Sequence, residues 1–164
     1  IRSFELNLFT YLFLLKNLYL SNNSNLNYFD SLLSKSMSNV ESLFINDANL
    51  TSVPFILYCR SLKYINLNNN KITYIKSESF RYHSVSFYKL VYLYLSKNFI
   101  EYIDEISFNY IFSLNFLDLS QNRLKYIGNM TFKNLFLLKY LNLSYNELKF
   151  INSSNLFENL QSLI

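Results

Sequence analysis

Few residues in this chain are suited to catalysis. Among 164 residues there is one Cys (Cys59), one His (His83) and one Gly (Gly128). One Cys and one His cannot build a zinc site by themselves, and one Cys cannot form an internal disulfide. A single Gly rules out a Gly-rich phosphate loop or a dinucleotide fingerprint, because both need several backbone positions that only Gly tolerates. His83 lies beside Arg81 and Tyr82 with no second ligand nearby and reads as a solvated loop residue. Asp104 and Glu105 are adjacent carboxylates with no matching acid, base or nucleophile, and read as a solvated turn. No catalytic residue, metal ligand or cofactor follows from this inventory, and the chain is expected not to be an enzyme.

Charge narrows the partners. The formal net charge is +4, from 15 Lys and Arg against 11 Asp and Glu. The basic residues are scattered from Arg2 to Lys149 with no cluster of five or more. A nucleic-acid surface needs concentrated phosphate-neutralising charge, so no nucleic acid is expected as a partner. Hydrophobic residues at 51% and charged residues at 16% describe a folded chain with a real core, at a length suited to one domain. The segment Phe4–Leu20 is apolar but broken by Glu5, Asn7, Lys16 and Asn17, and its unbroken part is too short to cross a bilayer. Membrane attachment would therefore come only through a segment outside this chain.

Self-similarity organises everything else. The stretch LNFLDLSQNRLKYI at 114–127 recurs as LKYLNLSYNELKFI at 138–151, LVYLYLSKNFIEYI at 90–103 and LKYINLNNNKITYI at 62–75. Weaker copies are VESLFINDANLTSV at 40–53 and LKNLYLSNNSNLNYF at 15–29, the latter with one extra residue. A partial unit covers 1–14 and a further one starts at 163. The shared pattern is LxxLxLxxNxLxxL. Its Asn position holds Asn23, Asn70, Asn98, Asn122 and Asn146, with Ala48 the one failure. Asn is common here, with 24 in the chain, yet five of six matches by chance has odds of about three in ten thousand. A second pattern, FxxLxxL, leads into each next unit and places Phe9, Ile56, Phe108, Phe132 and Phe157 in one column, and Leu12, Cys59, Phe87, Ile111, Leu135 and Leu160 in another. Cys59 thus reads as a core residue.

These units resemble the leucine-rich repeat family, over nearly the whole chain. The period of about 24 residues with a Phe in the second half is similar to the class in secreted proteins and receptor ectodomains, including Toll-like receptors. The resemblance implies an α/β repeat fold: a solenoid with a curved parallel β-sheet on its concave face and loops or short helical turns on its convex face, in a single array over 1–164. The physics agrees. In LxL the two Leu flank one outward residue, which is strand alternation. So short a strand is stable only when stacked on its copies. An Asn beyond it can satisfy the backbone groups of a buried turn, so the five Asn are expected to form a ladder. The third unit is longest, because 80–89 adds four residues that should bulge on the convex side. The stretch 26–39 loses the pattern, with Ser34 at the Phe position and Met37 at the following Leu position, and is expected to pack most loosely.

Outward strand residues form the candidate binding face. Third positions hold Asn17, Ser42, Tyr64, Tyr92, Phe116 and Tyr140; fifth positions hold Tyr19, Phe44, Asn66, Tyr94, Asp118 and Asn142. Tyr64, Tyr92, Phe116 and Tyr140 should make an aromatic stripe with Phe44 and Tyr94 beside it, and ligand-binding residues are expected among Tyr64, Tyr92, Tyr94, Phe116, Asp118 and Tyr140. The plainer alternative is that bulky third-position residues only cover the strands. N-glycosylation sequons begin at Asn22, Asn49, Asn129, Asn142 and Asn152; chance alone predicts about four from this composition, so they do not establish secretion. The resemblance points to a non-catalytic protein-recognition module, binding a protein ligand or co-receptor as part of a receptor or adhesion ectodomain at the cell surface. The alternative is an intracellular, cytoplasmic leucine-rich repeat scaffold. Core-type residues at both ends (Ile1, Phe4, Leu160, Leu163, Ile164) and the lack of capping Cys pairs lead to the expectation of a piece of a longer array.

Overall fold

The computed structural model describes residues 13–27, 29, 37–54, 56, 59–82, 85–86, 89–149 and 155–164. Ile1, Phe4, Phe9, Leu12, Ser34, His83, Phe87 and Asn152 lie outside the described residues.

Ten short strands are present among the described residues: β1 (Asn17–Tyr19), β2 (Ser42–Phe44), β3 (Tyr64–Asn66), β4 (Tyr74–Ile75), β5 (Arg81–Tyr82), β6 (Val85–Ser86), β7 (Tyr92–Tyr94), β8 (Tyr102–Ile103), β9 (Phe116–Asp118) and β10 (Tyr140–Asn142). Six of them, one from each unit, form a sheet in the order β1-β2-β3-β7-β9-β10. Every pairing in it is parallel, and Leu18, Leu43, Ile65, Leu93, Leu117 and Leu141 fall in one register. The expected parallel solenoid is what the chain forms. Backbone bonds extend each pairing past the strand end, as where the Leu95 N–H donates to Asp118 O at 2.9 Å and the Leu119 N–H to Asn142 O at 2.9 Å.

The inward residues explain why three-residue strands suffice. Leu43, Ile65, Leu93 and Leu117 have no solvent exposure, and neither do Ile45, Leu67, Leu95 and Leu119 two positions on. Each such burial contributes about 1.5–3 kcal/mol. Across the core stands a column of rings: Phe80, Phe108 and Phe132 are fully buried, with successive centroids 5.9 and 6.3 Å apart. Phe157 continues it at 6.3 Å. Met37, Phe29 and Leu26 are buried, so the described part of 26–39 packs into the same core. Cys59 is buried at its column position, and that burial pushes its thiol up to about 12, far from a reactive thiolate.

The convex side is built from turns. Among the described residues there is no α-helix. Instead, successive three-residue closures run along it: the N–H groups of Ser107, Asn109, Ile111 and Leu114 donate to the oxygens of Asp104, Ile106, Phe108 and Ile111 at 2.9–3.3 Å. On the flank β4 and β8 pair in parallel, with Tyr74 stacked on Tyr102 at 5.2 Å. In the long third unit, β5 and β6 make an antiparallel hairpin. Phe80, just before it, fills the ring column, so the extra residues follow the Phe position and leave the stacking intact. At the other end Leu160 is buried but Leu163 and Ile164, which the register assigns to the core, are exposed, because β10 is the last strand of the sheet.

Candidate functional site

Strand alternation leaves one face of the sheet to solvent, and aromatic side chains occupy most of it. Their rings touch without a gap across all six strands. Tyr19 stacks on Phe44 with centroids 4.5 Å apart and planes at 6°. Phe44 meets Tyr64 at 4.9 Å, Tyr64 meets Tyr94 at 5.1 Å, and Tyr94 meets Phe116 at 4.7 Å. Phe116 stacks on Tyr140 at 4.4 Å and 4°. Tyr92 lies against this path, 5.9 Å from Tyr64 and 6.2 Å from Phe116. The structure therefore brings together all five aromatic candidates, Tyr64, Tyr92, Tyr94, Phe116 and Tyr140. It also joins Tyr19 and Phe44 to them, so the path crosses from fifth positions to third positions instead of keeping to one. Such ring pairs contribute about 0.5–1.5 kcal/mol each beyond the area they bury.

The face is half wet. Tyr19, Tyr92 and Tyr140 are 68%, 43% and 46% exposed, while Phe44, Tyr64, Tyr94 and Phe116 are half-buried. Burial, with Tyr64, Tyr92 and Asp118 close by, pushes the Tyr94 hydroxyl up to about 12, so it stays protonated. Asp118 serves its own backbone: the Oδ1 accepts the Ser120 N–H at 3.0 Å and holds the strand's exit turn. Asn66 and Asn142 hold the equivalent turns through the N–H groups of Asn68 and Ser144. Along the edge where the strands begin, Glu41 accepts from Lys16 and Lys63, both at 2.7 Å, which holds its carboxyl down at about 2. Among the described residues no three of His, Cys, Asp and Glu converge.

Beneath the exit turns the Asn column fixes the spacing of the face. Asn122 is buried; its Nδ2 donates to Leu95 O at 2.9 Å and Leu119 O at 3.0 Å, and its Oδ1 accepts the Ile100 N–H at 3.0 Å. Asn98 repeats this with Leu67 O, Leu95 O and the Ile72 N–H; Asn70 with Ile45 O, Leu67 O and the Leu50 N–H. Asn146, half-buried, bridges Leu119 O, Leu143 O and the Leu124 N–H. Each of these side chains ties its own unit to the one before. Asn23 donates to Leu20 O at 2.9 Å within its own turn. Where Ala48 interrupts the column, the Leu26 N–H that a rung would serve donates to Asn23 O at 2.7 Å instead, a closure made possible by the extra residue of that unit. Of the sequon residues, Asn22 and Asn129 are exposed, Asn49 is half-buried and donates to Ser24 O, and Asn142 is half-buried on the sheet face.

Residues 60–124 match the leucine rich repeat family model. That stretch holds β3, β7 and β9 with the rungs Asn70, Asn98 and Asn122, and the match supports a leucine-rich repeat family. No curated protein matches the sequence. Outside the matched residues the parallel register runs on from β1 to β10, and Asn146 adds a further rung. Leucine-rich repeats are typically non-catalytic interaction modules.

Proposed function

We infer that the chain is a non-catalytic protein-recognition module, one repeat array whose ring-lined sheet face takes a protein ligand or co-receptor. The observation that carries this reading is the unbroken ring path from Tyr19 to Tyr140. At both ends of the path the rings stack flat on one another, and the outermost, Tyr19 and Tyr140, are exposed. Rigid aromatics with polar tips favour protein contact, because little side-chain freedom is lost on binding. The setting we assign is a receptor or adhesion ectodomain at the cell surface. The repeat length supports it; Asn129 is exposed on the convex turns, where a glycan would leave the sheet face clear.

Binding of the chain to an array of secreted and cell-surface proteins tests the reading. Tyr92→Ala with Tyr140→Ala should lower capture of any true ligand at least tenfold without unfolding the domain. Lys133→Ala, exposed on the convex side, should leave it unchanged. Loss only from convex variants would move the site off the sheet. For the setting, native protein should lose mass on N-glycosidase treatment, and its recovery from the cytosolic fraction would contradict the setting.

A further inference from the structure

We propose that the ring-lined face takes an arginine of its protein ligand, seated between Asp118 and the neighbouring rings; this rests on the reading of that face as the recognition surface. Among the third and fifth positions of the six strands, Asp118 alone carries a charge. The fold does not require that charge. Asp118 Oδ1 accepts the Ser120 N–H at 3.0 Å, and Asn66 and Asn142 hold the equivalent turns with a neutral amide oxygen at 3.0 and 3.1 Å. Among the described residues the second carboxylate oxygen of Asp118 has no hydrogen bond, and no Lys or Arg forms an ion pair with it.

The surroundings decide what can pair with it. Asp118 lies in register between Tyr94 and Asn142. Burial raises the Tyr94 hydroxyl pKa, and the Asp118 charge is close enough to add to that. Phe116 is two residues back on the same face, about 7 Å along the strand; its ring touches those of Tyr94 and Tyr140. Basic side chains around the face are engaged or stand apart. Lys16 and Lys63 hold Glu41. Lys97 lies by Asp47, whose pKa is lowered by hydrogen bonds from Asn69 and Asn46 and then by that charge. Arg123 lies 4.4 Å from the Phe99 ring centroid. Lys139 is exposed where β10 begins, three residues before the level of Asp118 and so about 10 Å away along the strands. A ligand that covers the rings also covers this half-buried carboxylate. An apolar or acidic side chain would leave it buried and unpaired, which is unfavourable. A cation offsets that. A guanidinium suits the place best, because its flat plane lies against a ring while its N–H groups reach the carboxylate, whereas an ammonium is a strongly hydrated point charge. A glycan on Asn142, beside Asp118, would cover the site, so the site requires that Asn to be unmodified.

The test is selection of a phage-displayed library of random peptides on the whole chain, followed by titration of the peptides recovered. Peptides whose capture falls with Tyr92→Ala bind the ring-lined face, and Arg should be enriched among them. For the tightest of these, Asp118→Asn in the chain and citrulline, a neutral isostere, for Arg in the peptide should each weaken binding at least tenfold. The two changes together should weaken it little more than either alone, because they remove the same contact. Asp118→Asn keeps the oxygen that holds the turn, so it should melt like the parent. Mass spectrometry of the native protein should find Asn142 unmodified. Ring-face peptides without Arg enrichment, binding indifferent to Asp118→Asn, or fully additive effects of the two changes would overturn the proposal and leave the recognition reading standing. A glycan on Asn142 would overturn it too. A selection that yields no peptide sensitive to Tyr92→Ala would overturn both.

Discussion

Six residues without a Gly among them, Asn22, Asp47, Asn69, Lys97, Gln121 and Tyr145, hold φ between 53° and 60°. Each immediately precedes the rung position of its unit. The left-handed kink lets one N–H reach the neighbouring unit, as Gln121 N–H does to Ser144 O at 2.9 Å, while the next side chain turns into the core. That conformation costs an L-residue with a Cβ about 1–2 kcal/mol, and Asn and Asp tolerate it best. Gln121→Gly should therefore raise stability by up to about 1 kcal/mol, after the loss to glycine's freedom in the unfolded chain. Gln121→Val, β-branched, should lower it by at least about 1 kcal/mol. Urea midpoints in the reverse order would mean that the turn is not left-handed in solution. The rungs were readable in the sequence because one residue type recurs at one spacing. The residue before them was not, because its conformation repeats while its type changes from Asn to Asp, Lys, Gln and Tyr.

Between elements, β1, β2 and β3 are tied at their starts by Lys16, Glu41 and Lys63. Hydrogen bonds from Lys16 and then Lys63 lower the Glu41 pKa from its ordinary 4.5 to about 2. A depressed carboxyl stabilises the fold above its unfolded pKa, and that contribution is lost as pH falls through the folded one. The group is solvated, so the effect is modest and salt-sensitive. Glu41→Gln should lower the melting temperature near pH 6, and the gap from the parent should close between about pH 4.5 and pH 2. A gap constant over that window would show the triplet to be idle. The strands and their register were legible, because LxL at intervals of 22 to 28 residues admits parallel stacking and little else. The third unit was only half legible. Its length announced an insertion, but two Phe flank the extra residues, and only packing against Phe108 shows that Phe80 fills the column. On the candidate face, outward aromatic positions followed from alternation, whereas the route of ring contacts through Tyr94 depends on side-chain rotamers that spacing does not encode.

At the scale of the molecule, stability and surface both depend on units held at a fixed separation. The strands set that separation on one side and the buried Asn column sets it beneath the exit turns. Asn122→Ala should destabilise the chain strongly, since each buried backbone group left without a partner costs about 1–3 kcal/mol. Asn115→Ala, half-buried at the start of β9, should shift the urea midpoint little. Amide hydrogen exchange at Ile100 tests the column most directly, because the Asn122 Oδ1 at 3.0 Å accepts this N–H. In the parent chain Ile100 should exchange as slowly as Leu95, whose N–H bonds to β9. In Asn122→Ala the Ile100 amide should exchange at least tenfold faster relative to Leu95 in the same sample. An Ile100 amide that remains as protected as Leu95 in that variant would contradict the claim that the Asn side chains join the units.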